Sequence, residues 1–225
     1  MGVLVNAFTV LIAALIGIFL GEKISERIKK ILIKILGIVI VIFGFKTLIH
    51  IDNYKRAIIY IIISFLLGTV LKLDDNLVKF SNKLELLLSH KTGEKFAKGL
   101  VFTTMLTCIG AMAILGSFSE ALYNDRSIVY AKSLLDSVMA VIAGSVYGIG
   151  VAFTSIFILI YQGFFYLFAL NIKPYLTAIA ISDITTVGGI FLILLGINTI
   201  FNTKIKIFNM ILALFLPIIM EVIKI

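Results

Sequence analysis

Lys132 and Asp136 stand four residues apart at the head of a stretch that carries no other charge as far as Ile172. That spacing puts both side chains on one face of a helix, close enough to pair. A carboxylate in lipid is costly and one that titrates there is useful, so the pair reads as part of a solute or proton path. A structural pair that stabilises a helix entry is the alternative. Asp183, Thr185 and Thr186 precede Gly188 and Gly189. Their oxygens, with any unwound carbonyls beside them, suit a cation or a solute, as in the discontinuous helices of transporters. Asp183 is equally suited to cap the helix that follows. Ser133 and Ser117, with the amides of Asn6, Gln162 and Asn198, add polar groups to apolar surroundings. Each amide fits a ligand or a helix-to-helix hydrogen bond.

No catalytic residue is assigned. His50 and His90 lie at span ends, no paired-histidine zinc helix occurs, and no Ser and His share a span. Cys108 is the only cysteine, which rules out a disulfide framework and a cysteine-based metal site. No basic residue accompanies the glycines as it would in a phosphate-binding loop.

The elements that must position these groups follow from length. The forty residues from Ser133 to Ile172 would span about 60 Å as one helix, twice the roughly 30 Å bilayer core. The stretch must turn, and Gly144, Gly148 and Gly150 supply the place. Helices over 129–147 and 151–171 result. Further spans read over 3–21, 31–50, 57–72, 99–118, 184–202 and 206–223. The segment 22–34 and a helix starting from an Asp74 or Asp75 N-cap are amphipathic and are expected to lie along the interface, the first running into the span over 31–50. The fold class is therefore an all-α polytopic membrane protein of eight transmembrane helices, or seven if the central pair is one irregular span, in a single domain over 1–225.

Composition agrees, since 61% of the 225 residues are hydrophobic, 14% are charged and mean hydropathy is +1.16. Soluble domains do not reach these values. The net charge of +8 comes from Lys and Arg beside apolar spans, where they hold loops and meet anionic lipid. The partner expected is the lipid bilayer, with no nucleic acid. The first helix lacks a basic leader and a small-residue cleavage site, and is expected to be retained. With the N-terminus outside, 13 of the 20 Lys and Arg fall on the cytoplasmic side and 7 on the other, a bias that favours this orientation.

An internal repeat is also expected. Gly37, Gly44 and Thr47 have the spacing of Gly189, Gly196 and Thr199, and Ala7-Phe8-Thr9 recurs as Ala152-Phe153-Thr154. An offset of five spans would invert the second copy, giving repeat halves 1–72 and 151–225 linked by 73–150.

Several short motifs occur in order along the chain: Val5-Asn6-Ala7, Gly110 to Ser117, Ala131 to Asp136, Gly148-Ile149-Gly150-Val151, Tyr161-Gln162-Gly163, Val187-Gly188-Gly189 and Gly196-Ile197-Asn198. Together they resemble the bacterial and archaeal membrane family catalogued as domain of unknown function 554. The chain departs from that family's pattern at Glu120-Ala121-Leu122 and at Asn209 to Leu212. The resemblance implies a multi-pass protein of a prokaryotic cytoplasmic membrane and supplies no substrate. The expected function is a small secondary transporter or permease for a small polar or anionic solute, without a cofactor, coupled to Na+ or H+ and assembled as a homodimer. A pore or a structural membrane scaffold is the alternative.

Overall fold

A computed structural model of the chain describes residues 1–49, 51, 54–88, 94–203 and 205–223. His50, His90, the start of the basic linker at 91–93, Lys204 and Lys224 lie outside the described residues. The described residues are helical almost throughout, without a strand. In chain order the helices are α1 (Gly2–Gly21), α2 (Glu26–Leu48), α3 (Lys55–Val70), α4 (Leu73–Leu88), α5 (Glu94–Cys108) and α6 (Ala111–Tyr123). They continue as α7 (Ser127–Tyr147), α8 (Gly150–Leu167), α9 (Ala169–Ile172), α10 (Ala178–Phe201) and α11 (Leu216–Ile223), with a 3-10 helix over Ile207–Leu214 before α11.

Among the described residues, five helices, α1, α2, α7, α8 and α10, are long and apolar enough to cross a membrane. Two bent pairs, α3 with α4 and α5 with α6, each turn by 56° and raise the count to seven when each pair is one span. The shorter apolar stretch Ile207–Ile223 opens in the tighter 3-10 form. At roughly 2.0 Å per residue there and 1.5 Å in α11, it reaches about 28 Å, close to the roughly 30 Å hydrocarbon thickness. The central turn is where the length argument requires it: α7 ends at Tyr147 and α8 starts at Gly150, with Gly148 at φ 77°. A side chain at that φ would be strained.

Three local readings are corrected. The span over 99–118 is broken at Ile109-Gly110, because α10 occupies the corner: a Cβ on Gly188 would sit 3.0 Å from the Ala111 nitrogen. As expected, the amphipathic segment 22–34 runs into the span after it, in one continuous helix, α2, entered at Ser25, whose Oγ accepts the Ile28 N–H at 3.4 Å. The last long helix starts earlier than 184. Thr177 caps it, accepting the Ala180 N–H at 3.1 Å, so Asp183 is not its N-cap. Likewise α4 begins at Leu73, which leaves Asp74 and Asp75 inside its first turn, where their charge still favours the helix dipole.

Packing is most extensive along two seams. α1 lies against α7 and α8, and α2 lies against α10. On the first seam a Cβ on Gly144 would meet the Ala14 carbonyl oxygen at 2.6 Å. On the second, Gly196 would meet the Gly37 oxygen at 2.7 Å and Gly44 the Gly189 oxygen at 2.8 Å. Small residues let membrane helices approach until their backbones touch, which supplies the van der Waals contact that lipid does not. Between the seams lies one apolar core that includes Val10, Ile40, Ile114, Ile158 and Phe191.

Candidate functional site

The site is assembled on α7. Its first turn is fastened by Asp125, whose Oδ1 accepts the Ser127 N–H at 2.9 Å, and this bond holds the Asp125 carboxyl below the usual carboxylate range. One turn further in, Lys132 Nζ lies 2.9 Å from Asp136 Oδ1 and 2.8 Å from Oδ2. Both residues are 5% exposed, so neither charge can turn to solvent. α1 brings Asn6 to the same place. Its Nδ2 donates to Asp136 Oδ2 at 3.3 Å and to Gln162 Oε1 of α8, also at 3.3 Å. Asn6 Oδ1 and Gln162 Nε2 are buried without a hydrogen-bond partner.

A cavity of about 320 Å³ opens beside the pair. Lys132 and Asp136 form its charged wall, Thr47 and Thr185 add two hydroxyls, and Gly110 with the first residues of α6 places the helix break on its border. The remaining lining is apolar. A break of this kind leaves N–H groups at the start of α6 without helical partners and gives that end a partial positive charge.

The ten residues singled out in the sequence thus separate. Asn6, Lys132, Asp136 and Gln162 converge from three helices, and Thr185 reaches the same cavity. Ser117, Ser133, Thr185 and Thr186 each donate to a carbonyl four residues back on their own helix, at 2.7 to 2.8 Å. Asp183 is buried elsewhere on α10 and pairs with Arg56, 3.2 Å from its Nε. Asn198 fastens the loop after α10: its Nδ2 donates to the Ile205 carbonyl at 2.7 Å, and its Oδ1 accepts from the Ile205 N–H at 2.9 Å and from the Thr203 hydroxyl.

Three contributors carried no usable signal in the sequence. Arg56 reads as a loop charge at a span end, and nothing local ties it to Asp183, far along the chain. Glu120 lies in a turn-like stretch, yet it is buried and accepts the Gly2 and Val3 N–H groups at 2.6 and 3.1 Å while pairing with Arg126 at 3.1 Å. It thereby anchors the start of α1, the helix that delivers Asn6. Tyr161 follows the apolar pattern of α8, but its hydroxyl is buried without a partner.

The chain is 27% identical over 220 residues to the "Uncharacterized membrane protein YdfK" of Bacillus subtilis (strain 168), covering 96% of this chain and 93% of that protein. It is 28% identical over 219 residues to the "Uncharacterized protein YqgA" of Escherichia coli (strain K12), with the same two shares covered. No solved structure matches it. The family described as "Protein of unknown function (DUF554)" matches residues 1–222, and with its buried polar cluster inside a bundle of apolar helices the chain belongs to that family.

Proposed function

We propose that this protein is a secondary transporter, a small permease for a small polar or anionic solute, with its site at the bundle midplane. One observation carries the reading: a buried Lys132–Asp136 pair forms the wall of a cavity of about 320 Å³ at a helix break. Ionisable groups inside a membrane bundle are expensive to keep and mark solute and ion paths. Broken helices are where transporters expose the backbone groups that bind cargo.

Two further observations favour an inverted repeat. Gly37 faces Gly196 and Gly44 faces Gly189, the reciprocal contacts that a two-fold axis between α2 and α10 requires. Thr47 donates to Phe43 O at 2.8 Å and Thr199 to Leu195 O at 2.7 Å, and the two bonds correspond under the same offset. A coupling ion, a homodimer and placement in a prokaryotic cytoplasmic membrane with the N-terminus outside complete the proposal.

Ligand-dependent melting of the purified protein tests it. A solute held at 100 times its Kd adds about 2.7 kcal/mol of stability. A broad screen of solutes and ions without any shift would leave the scaffold reading in place. Orientation has its own test. With Cys108 replaced, single cysteines at Asn124 and Lys83 should label from opposite sides, Asn124 from outside; labelling from one side refutes the arrangement.

A further inference from the structure

What the cavity takes can be read from its wall, and this inference rests on the transport reading above. Leu106, Met112, Leu115, Leu135 and Leu192 make most of the lining apolar. The Thr47 and Thr185 hydroxyls already donate to Phe43 O and Ile181 O, at 2.8 and 2.7 Å. A sugar or another polyol would leave many hydroxyls unpaired there, and each unpaired buried group is costly. A free cation would find both Asp136 oxygens already held by the Lys132 ammonium. An anion with an apolar body meets neither obstacle. Its head can replace Asp136 at Lys132, near the positive end of α6, while its body lies against leucine and methionine. The volume is at the small end of ligand pockets, which limits the body to a few carbons.

Charge balance then constrains the step. The pair is neutral, so a monoanion alone would leave an uncompensated charge in a dry bundle. The groups around the pair are Asn6 from α1, Cys108 from α5 and the hydroxyls of Thr47 on α2 and Thr185 on α10, with Gln162 of α8 bonded to Asn6 and Tyr161 of α8 near Cys108. Asp183 of α10 is paired with Arg56. Among these, Asp136 is the base beside Lys132 that can accept a proton once the anion takes its place at the ammonium. The neighbouring amide suits both states. Asn6 Nδ2 donates to the carboxylate, and after a half-turn of the amide its Oδ1, buried without a partner, accepts from a carboxylic O–H.

We propose that the cavity binds a small monoanion with an apolar body, of the short-chain monocarboxylate class, and takes up one proton on Asp136 with each anion. The Lys132–Asp136 ion pair breaks, a Lys132–anion pair forms, and a proton from water adds to an Asp136 oxygen. Net charge in the cavity is unchanged.

Calorimetric titration of the purified full-length chain with butyrate, in two buffers of different protonation enthalpy, counts the protons directly. The expected result is one proton taken up per butyrate, with affinity weakening about tenfold for each pH unit above the titration of the pair. Butanol and butylamine should not compete. Asp136→Asn, which fixes the neutral state, should bind butyrate with that slope gone. Butyrate binding without proton uptake in the wild type overturns the proposal, as does an unchanged slope in Asp136→Asn. A melting shift for another class of solute and none for butyrate overturns this inference while the transport reading stands. No shift for any solute removes both.

Discussion

Two buried carboxylates in this bundle are partnered in opposite ways. Asp136 shares a dry site with a cation as enclosed as itself, the Lys132 and Asp136 side chains each being 7% exposed. Asp183 is 2% exposed, but its partner Arg56, at the start of α3, is 37% exposed. A guanidinium at the surface keeps much of its hydration and can change partners cheaply, whereas an enclosed ammonium depends on its carboxylate. The difference separates a site where charge must be exchanged as a unit from one where a helix is tied to the bundle edge. The proposed function assigns solute exchange to the first, because an entering anion would meet there a cation that it alone can compensate once Asp136 is neutralised.

The largest expected effect tests that contrast directly. Asp136→Leu strands Lys132 and should destabilise the protein by about 3–5 kcal/mol in detergent unfolding. Asp183→Leu should lose clearly less, because Arg56 can turn to solvent. Equal losses would erase the distinction. Next in size is the recovery on removing both charges. Lys132→Met with Asp136→Leu should regain most of the loss and end within about 1 kcal/mol of wild type, as replaced buried pairs often do. Arg56→Met added to Asp183→Leu should recover little, since the surface cation was never stranded.

How far these features were readable from sequence depends on how local their causes are. Lys132 and Asp136 lie four apart, and helix geometry alone joins them. The turn at Gly148 follows from the length of an uncharged run. Asn6 and Gln162 were visible as polar groups in apolar spans, but their meeting with Asp136 joins three helices and 156 residues of separation, which no local pattern encodes. The break at Gly110 escapes a sequence reading because the chain from Gly99 to Ser119 is uncharged and carries no Pro. Its cause is α10 packing into the corner through Gly188, a tertiary fact. Asp183 suits a cap in the sequence for the same reason: its partner Arg56 is distant along the chain, while Thr177, the true cap, falls between the spans expected over 151–171 and 184–202.

The smallest expected effect concerns Asn6, and it distinguishes a positioning amide from simple helix-to-helix glue. Asn6 makes two long hydrogen bonds, both 3.3 Å, one to Asp136 and one to Gln162. Hydrogen bonds between membrane helices average about 0.6 kcal/mol, so Asn6→Ala should cost about 1 kcal/mol in the wild type. In the Lys132→Met, Asp136→Leu background only the bond to Gln162 remains, and the same substitution should cost about half as much. The difference is the coupling energy between amide and ion pair, measured by a double-mutant cycle. In a background carrying Arg56→Met and Asp183→Leu the Asn6 substitution should keep its full cost, because no hydrogen bond joins Asn6 to that pair. A cost that is the same in all three backgrounds would mean that Asn6 holds α1 to α8 through Gln162 and does not read the state of Asp136. The two carboxylate sites would then differ only in how deeply their cations are buried.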